Sequence, residues 1–308
     1  MNAAIVIVSG KTSWSEGFMP YLTAGNISAV QRIIIVLKQA GIDRVVLVTS
    51  EDARELERHV AHMGAVCLEN VNREAEMLDN IKAGLEYLKK YYDSVIITPV
   101  DVPFFSVNTV NALLDLKTNI AIPVYNGIKG HPIVLKSPVF NIVLDYSGGG
   151  GLDSILGEIS EEISYIKVAD PGVMYDVENE DIFNDLERLA ESHELMKLRP
   201  EVRISLAREK TFFGTGAQML LGLVYETGSL RMACARMGIS YSKGWKMIQF
   251  IEEQLGYPVV SSQKGGSGGG KSQLTDDGKM LVDKYRILVK RCETAADEIF
   301  NELFVEDG

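Results

Sequence analysis

Short β-branched runs alternate with longer amphipathic segments through the first 200 residues of the chain. The segment Asn26–Gln39 carries apolar residues at helical spacing, and Gly41 separates it from the apolar run Arg44–Thr49. Repetition of this pattern predicts strands at Ala3–Ser9, Arg44–Thr49, Ala65–Leu68, Ser94–Pro99, Ile120–Val124, Pro132–Leu135 and Ile163–Lys167, and helices at Asn26–Gln39, Asp52–Met63, Glu74–Tyr91, Val107–Leu116, Leu152–Ile159 and Asp181–His193. Strands joined by crossover helices predict an α/β domain with a Rossmann-like, doubly wound, mostly parallel sheet.

The later residues show a different pattern, in which helices come first. A helix is predicted at Thr215–Glu226, and the run 228–256 indicates a short helix, a turn at Met237–Ile239 and a long helix from Ser240. The residues of the long helix expected to face inward are Trp245, Ile248 and Ile251. This order is typical of a helix-turn-helix, whose second helix enters the major groove of DNA.

A glycine-rich segment follows the helix pair. The short apolar stretches Pro258–Val260 and Gln273–Thr275 flank residues 261–271, which contain five glycines, and a long helix is predicted at Asp276–Leu303. Beside a helix-turn-helix, such a hairpin is interpreted as a wing that touches the DNA backbone, whereas alone it would be a linker. The second half is therefore predicted to be a winged helix-turn-helix domain.

Length and charge support two domains. A chain of 308 residues exceeds one average domain, and a polar stretch at about 196–206 suggests the linker, which gives domains at 1–198 and 199–308. Residues 1–200 hold 17 Lys+Arg against 28 Asp+Glu, while residues 201–308 hold 14 of each. Within 208–272 there are 8 basic and 4 acidic residues, a local excess of +4 that favours contact with nucleic acid.

Composition excludes several other classes. No apolar run approaches the roughly 20 residues of a spanning helix, and no signal-peptide pattern is present, so we expect a cytoplasmic protein without a membrane partner. Cys67, Cys234 and Cys292 share no CxxC spacing and are expected to be buried apolar filler. The i, i+3 pair His59 and His62 could share a metal, although a solvated helix face is the favoured interpretation.

Two aspartates follow predicted strands at the edge where α/β sheets bind ligands. Asp101 comes directly after the strand Ser94–Pro99, and Asp176 follows the strand Ile163–Lys167 and a turn at 170–172. Carboxylate oxygens are the ligands Mg²⁺ prefers, and the ion bridges to substrate phosphates. Each aspartate could instead cap the element that follows it, an alternative that weighs more for Asp176 than for Asp101.

Four motifs then point to one family. LTAGNISAVQR (22–32), TPVDVPFF (98–105), KGHPIVL (129–135) and YDVENEDI (175–182) resemble the MobA-like nucleotidyltransferases, which include the molybdenum-cofactor cytidylyl- and guanylyltransferases. The resemblance implies Mg²⁺ binding by Asp101 and Asp176, CTP or GTP as substrate and a molybdopterin-like acceptor. It also implies that Asn80 contacts the nucleotide and that His131 lies on the acceptor side of the nucleotide site. A turn-stabilising role for His131 remains an alternative.

The phosphate-binding loop departs from the family pattern. This chain has VSGKTSWSEGFMPY at 8–21, which keeps a glycine, lacks the loop arginine and has Tyr21 in place of the family lysine. The candidate phosphate ligands in this loop are Ser9, Gly10 and Thr12, with Lys11 as the catalytic cation. The loop is not a Walker motif, because Ile5 stands where that motif needs glycine. Loss of phosphate cations would weaken catalysis more than binding.

The second half resembles another family. GSLRMACARMGISYSKGW, the glycine-rich wing and LTDDGKMLVDKY (274–285) are similar to the DNA-binding domain of the ModE molybdate-responsive regulators. The resemblance implies a homodimer, formed partly through the helix after the wing, in which each subunit contacts one DNA half-site. The candidate DNA-binding residues are Ser240, Tyr241, Ser242, Lys243, Lys246, Lys264 and Lys271.

Three hypotheses about function follow. In the leading one, a molybdenum-cofactor-type nucleotidyltransferase shares a chain with a DNA-binding domain of a transcription regulator. In the second, the first domain has lost catalysis and serves as a nucleotide or cofactor sensor that alters DNA affinity. In the third, the transferase acts on another acceptor and the winged helix serves only for dimerisation.

Overall fold

A computed structural model describes residues 1–8, 21–49, 53–60, 63–70, 72, 76–149, 151–177, 180–193, 198–263 and 271–304. The chain divides into two compact units, unit 1 at Met1–Lys197 and unit 2 at Leu198–Gly308. The strands of unit 1 are β1 Asn2–Val8, β2 Thr23–Ala24, β3 Ile27–Ser28, β4 Arg44–Thr49, β5 Val66–Glu69, β6 Ser94–Pro99, β7 Ile120–Tyr125, β8 Ile128–Lys129, β9 Ile133–Lys136 and β10 Ile163–Lys167. Its helices are α1 Ala29–Gln39, α2 Ala53–His59, α3 Met77–Leu88, α4 Val107–Asp115, α5 Ser137–Asp145, α6 Gly151–Glu158, α7 Glu180–Asn184 and α8 Leu186–Ser192.

The main sheet of unit 1 is mixed but mostly parallel. Its order over the described residues is β10-β7-β9-β6-β1-β4-β5, with β8 paired to β7. Strand β1 pairs in parallel with both β4 and β6, and β7 pairs in parallel with β10, whereas β9 runs antiparallel between β6 and β7. The strand order reverses at β1, so the crevice between the ends of β1 and β6 is the point where this class of sheet binds ligands.

Both faces of the sheet are buried, which confirms the doubly wound fold. Along β1, Val6 packs into one apolar core and Ile5 into the other, because successive strand residues point to opposite faces. Helices α1, α4 and α8 cover the first face, and α3, α5 and α6 cover the second. Continuous burial of this kind explains why the strands appear in the sequence as unbroken β-branched runs.

Helix α1 begins later than the sequence predicts. Residues 23–24 and 27–28 pair as a short antiparallel hairpin turned by Gly25, whose φ of 69° suits glycine. Ser28 then caps the helix, because its hydroxyl accepts from the backbone N–H of Gln31 and the Gln31 side chain accepts from the backbone N–H of Ser28. The predicted helix from Asn26 is therefore wrong in its first turn.

Two further differences concern helices. The single helix predicted at Asp181–His193 is two short helices, α7 and α8, separated at Asp185. Helix α5 was not predicted at all, although Pro138 occupies its first turn, a position that tolerates proline.

Unit 2 has the elements of a winged helix. Its strands are β11 Leu206–Ala207, β12 Thr211–Phe213, β13 Val260–Gln263 and β14 Lys271–Leu274, and its helices are α9 Thr215–Thr227, α10 Leu230–Arg236, α11 Tyr241–Leu255 and α12 Asp276–Phe304. Strands β13 and β14 form an antiparallel hairpin directly after the helix pair α10–α11. The predicted core residues of the first helix are completely buried, namely Leu220, Leu221, Leu223 and Val224.

The two helices of the helix-turn-helix approach each other closely. Helix α10 ends in a turn with Gly238 at a φ of 63°, and Ser240 caps α11 by accepting from the backbone N–H of Lys243. A methyl group on Gly244 of α11 would lie 2.2 Å from the Sγ atom of Cys234 on α10. Glycine at position 244 is therefore what allows this distance between the helices.

The described residues contain no helix both long enough and apolar enough to cross a membrane. All three cysteines are free thiols. Cys234 is buried as expected, but Cys67 and Cys292 are only half-buried, which corrects the prediction that all three are core filler.

Candidate functional site

The carboxyl ends of β1 and β6 form the candidate site of unit 1. Strand β1 leads into residues 9–20, so the predicted phosphate ligands Ser9, Gly10 and Thr12 and the predicted cation Lys11 lie outside the described residues. Strand β6 leads directly to Asp101, and the N–H of Val100 donates to the carbonyl of Ile7 at 3.0 Å. The aspartate is thus held beside the carboxyl end of β1, where parallel α/β sheets bind their ligands.

The structure brings the two predicted metal ligands onto neighbouring backbone. The N–H of Val177 donates to the carbonyl oxygen of Asp101 at 2.7 Å, so Asp176 lies on the segment that runs directly beside Asp101. Both aspartates are half-buried. The two aspartates are 75 residues apart in the sequence, and the hydrogen bond from Val177 to Asp101 brings their backbone segments together.

A third aspartate fixes the segment that carries Asp176. The carboxylate of Asp170 accepts from the backbone N–H of Ser106 at 2.8 Å, from the hydroxyl of Thr109 at 2.6 Å and from the N–H of Gly172 at 2.9 Å. It therefore joins the turn at 170–172 to the start of α4. A methyl group on Gly172 would lie 2.0 Å from the carbonyl oxygen of Phe104, so the two loops are in direct backbone contact.

Asn80 lies in the first turns of α3 and is completely buried. Its Oδ1 accepts from the side-chain amide of Asn70 at 2.9 Å, and Asn70 follows β5. Its Nδ2 atom is buried and has no hydrogen-bond partner among the described residues. A buried donor without a partner is costly, so this amide is a candidate for contact with a bound polar group.

His131 lies at the same edge of the sheet, because it comes just before β9 and β9 is antiparallel to its neighbours. Its backbone N–H donates to the carbonyl of Val173 at 2.9 Å, and its ring nitrogen Nδ1 is buried without a partner in the described part of the chain. Burial lowers the pKa of His131 to about 4, although the nearby Asp153 carboxylate acts in the opposite direction. The imidazole is therefore neutral at pH 7 and can accept or donate a hydrogen bond.

Tyr21, which replaces the family lysine, packs against α2. Its ring lies 4.8 Å from that of His59 in an edge-on arrangement, and burial raises its pKa to about 12. His59 also shares a hydrogen bond of 2.8 Å with the hydroxyl of Ser28. His59 is therefore half-buried and contributes to the start of α1, which differs from the solvated helix face expected for it, while His62 lies outside the described residues.

Within the described residues, no group of three or more His, Cys, Asp or Glu side chains could hold a metal ion by itself. The pair Asp101 and Asp176 fits a different kind of site. Mg²⁺ is usually held by one or two carboxylates and completes its shell with water and substrate phosphates. Two half-buried carboxylates at the mouth of an α/β sheet match that donor set.

The candidate DNA-contacting surface of unit 2 is the exposed side of α11. Five predicted residues are exposed there, namely Ser240, Tyr241, Ser242, Lys243 and Lys246. Lys271 is exposed at the start of β14, whereas Lys264 lies outside the described residues. The hydroxyl of Ser240 is engaged as the helix cap, so its side chain is already bonded to the backbone of Lys243.

Trp245 does not face inward as predicted. It is 36% exposed, and the buried residues of α11 are Gly244, Ile248 and Ile251. Gly244, one residue earlier, takes the inward position of that turn, so the indole of Trp245 is turned away from the core. Trp245 instead adds an indole to the side of α11 that carries Tyr241 one turn earlier.

Helix α12 is amphipathic but is packed only near its beginning. Its buried residues are Gly278, Leu281, Val282 and Tyr285. Apolar side chains beyond them are exposed, namely Ile287, Leu288, Ile299, Leu303 and Phe304.

Comparison with known proteins confirms both resemblances. Residues 4–163, slightly more than half of the 308, match the family of the MobA-like NTP transferase domain. The C-terminal region matches curated molybdenum-related proteins. The molybdenum-pterin-binding protein MopB of Rhodobacter capsulatus is 36% identical over 77 residues, which are 23% of this chain and 28% of MopB. The DNA-binding transcriptional dual regulator ModE of Escherichia coli K12 is 26% identical over 106 residues, 34% of this chain and 40% of ModE.

The chain therefore spans well under half the length of these curated relatives. Solved structures resemble the first part of the chain in fold. Rv0371c from Mycobacterium tuberculosis H37Rv has a TM-score of 0.53 at 19% identity and covers 61% of this chain and 97% of its own. A nucleotidyl transferase from Methanothermobacter has a TM-score of 0.55 at 15% identity and covers 62% and 97%.

Proposed function

Because the chain belongs to the MobA-like NTP transferase family, we propose that unit 1 transfers a nucleotidyl group from CTP or GTP to a molybdopterin-like acceptor, and that unit 2 binds DNA as part of a transcription regulator. The observation that carries the first part is the hydrogen bond between Val177 and Asp101, which sets Asp176 beside Asp101. Such a pair is what an Mg²⁺-dependent transferase needs at the end of its central strands.

In the proposed reaction, a phosphate oxygen of the acceptor attacks the α-phosphorus of the nucleotide. A new phosphorus–oxygen bond forms, the bond from the α-phosphorus to the bridging oxygen breaks, and pyrophosphate leaves with the electron pair of that bond. Asp101 and Asp176 would hold Mg²⁺, which when bound offsets the negative charge that develops on the leaving group.

Other residues of the chain would bind and orient the substrates. The buried amide of Asn80 is suited to donate to the nucleotide, and Asn70 fixes its orientation. His131, neutral at pH 7, is proposed to face the acceptor without adding a positive charge. In the phosphate loop, Lys11 is proposed as the cation, with Ser9, Gly10 and Thr12 as phosphate ligands.

For unit 2, the support comes from charge and from the relatives. Lys243 and Lys246 are exposed on the second helix of the helix-turn-helix, and Lys271 is exposed on the hairpin. The E. coli relative is by its name a DNA-binding regulator. We propose a homodimer whose subunits associate through the exposed apolar side of α12, so that each α11 contacts one half-site.

Asp101→Asn tests the enzymatic proposal. Purified protein is mixed with Mg²⁺, CTP or GTP and molybdopterin, and pyrophosphate is measured. We expect release by the wild type and at least a ~100-fold lower kcat/KM in Asp101→Asn, because stabilisation of developing charge is lost. Asp115→Asn is the matched control, since Asp115 is exposed at the far end of α4 and should leave the rate unchanged. Binding of either nucleotide without any pyrophosphate release would contradict the proposed transfer.

A further inference from the structure

One aromatic ring connects the candidate metal site to the end of unit 1. Phe104, 3% exposed, lies 5.0 Å below the guanidinium of Arg32, and its ring centroid is 5.9 Å from that of His193 and 6.5 Å from that of Tyr175. We call these four residues the Phe104 cluster. They come from four separate parts of the chain that meet on the α1 side of the sheet.

The Phe104 cluster is joined to both candidate metal ligands. Phe104 is three residues after Asp101, and Tyr175 immediately precedes Asp176. The backbone at Phe104 and the backbone at Gly172 leave no space for a side chain between them, because a methyl group on Gly172 would lie 2.0 Å from the Phe104 carbonyl oxygen. A change in the separation of Asp101 and Asp176 would therefore displace the rings of Phe104 and Tyr175, since a close-packed interior transmits such a displacement.

Arg32 connects the cluster to the segment that follows the phosphate loop. Its side chain is 1% exposed, and its Nη2 atom donates to the carbonyl of Ala24 in the β2–β3 hairpin at 2.8 Å. Burial lowers the pKa of this guanidinium. Among the described residues it forms no ion pair, so the carbonyl of Ala24 and the face of Phe104 are what stabilise the charge.

Helix α8 is the element at the other end of the cluster. It has seven residues, and only Leu186, Leu189 and Ala190 are buried. His193, which ends it, is 8% exposed and has its Nε2 atom 3.4 Å from the carbonyl oxygen of Phe105. Because a short helix with so small a buried face has few contacts to lose, we expect α8 to open locally at low free energy.

We propose that the Phe104 cluster couples occupancy of the nucleotide site to the docking of α8, and thereby to the chain segment that leads into unit 2. Nucleotide and metal fix the segments of Asp101 and Asp176 in their close-packed arrangement, which holds Phe104 against His193 and stabilises docked α8. Release of the nucleotide relaxes this contact. The proposal rests on the nucleotide site proposed above, but it requires binding only and not transfer.

Hydrogen exchange of the full chain measures the coupling. Peptides that span residues 186–206 are followed with Mg²⁺ and CTP, with Mg²⁺ and GTP, and with Mg²⁺ alone, and nucleotide binding is measured separately by calorimetry. We expect exchange in 186–193 to slow at least about fivefold with bound nucleotide, the lower end of typical coupling between sites. Phe104→Leu and His193→Gln should bind nucleotide yet lose most of this protection. Phe140→Leu, an equally buried aromatic in the other core, is the matched control and should keep it.

The outcomes separate the two proposals. Protection that is equal in wild type and His193→Gln, or absent in nucleotide-bound wild type, overturns the coupling even if pyrophosphate is released. Protection in wild type that His193→Gln loses supports the coupling even if no transfer is observed. If neither nucleotide binds the wild type, both the coupling and the transferase proposal are wrong.

Discussion

The side-chain amide of Asn70 donates to Oδ1 of Asn80 at 2.9 Å, which leaves Nδ2 of Asn80 as the buried donor at the candidate nucleotide site. Asn80→Asp replaces that donor with a negatively charged oxygen that would repel phosphates. We expect CTP or GTP to bind about 10–100-fold more weakly, since a hydrogen bond to a charged group contributes about 1.5–3 kcal/mol. Titration calorimetry with Mg²⁺ present measures the change.

Asn72→Asp is the matched control for Asn80→Asp. Asn72 is exposed and lies eight residues earlier in the chain, so the same added charge is solvated. Equal affinities of the Asn80→Asp variant and the wild type would show that this amide does not contact the nucleotide.

His131 makes stability depend on pH. Its pKa is about 4 in the folded protein against an ordinary 6.5, so between these values the unfolded chain binds more protons. Its contribution is fully present above pH 6.5 and is lost as the pH falls towards 4. The gap corresponds to on the order of 3 kcal/mol of unfolding free energy, at about 1.4 kcal/mol per tenfold change in proton affinity.

Denaturant unfolding at a series of pH values between 7 and 4 measures this effect. His131→Gln should flatten the pH dependence, because glutamine does not titrate. The His131→Gln variant should keep a residual slope of the same sign from His193, whose pKa is also lowered by burial and by Arg32. Parallel pH profiles for the wild type and His131→Gln would contradict the prediction.

Gly244→Ala tests the contact between α10 and α11. The added methyl group would lie 2.2 Å from Sγ of Cys234, and overpacking of this kind costs about 1–3 kcal/mol of unfolding free energy. Gly216→Ala is the control, since Gly216 is an exposed glycine of α9 with open space around it, and there alanine should stabilise by about 0.5–1 kcal/mol.

The double variant Cys234→Ala/Gly244→Ala identifies the cause of the Gly244→Ala effect. Removal of Sγ makes room for the new methyl group. The double variant should therefore lose less unfolding free energy than the two single variants together, by at least about 0.5 kcal/mol. Strict additivity would mean that Gly244 is not limited by Cys234.

Lys243→Ala tests DNA binding by α11. If the exposed ammonium contacts a phosphate, the slope of log affinity against log salt concentration should fall by about 0.9. A gel shift on the duplex upstream of the gene, repeated at several salt concentrations, measures it. Lys290→Ala, an exposed lysine of α12, should leave the slope unchanged, and an unchanged slope in Lys243→Ala would exclude the phosphate contact.

The sequence predicts the buried strands well and the short elements poorly. Arg44–Thr49 and Ser94–Pro99 have the same bounds in prediction and structure, because strands covered on both faces are continuous apolar runs. The β2–β3 hairpin has two residues per strand, which is too short for any periodicity. The antiparallel direction of β9 was also missed, since residue pattern does not encode strand direction.

For the candidate site, the sequence identified single residues but not their contacts. Asp101 and Asp176 could be named from their positions after strands, whereas the pairing of Asn70 with Asn80 depends on how β5 and α3 meet in space. The misplacement of Trp245 has a simpler reason. The inward residue of that turn, Gly244, has no side chain, so it adds nothing to the apolar pattern of the helix.

The hydrogen bonds of Asp170 determine where this protein could be divided. The family match ends at residue 163, yet the start of α4 is held by hydrogen bonds to the carboxylate of Asp170, seven residues further on. A chain that ended at residue 163 would lack the carboxylate that holds α4, the α8 residues that complete the core, and Asp176. The smallest form of unit 1 that folds on its own is therefore expected to extend through His193, and fusions to another domain or to a reporter should be joined after that residue.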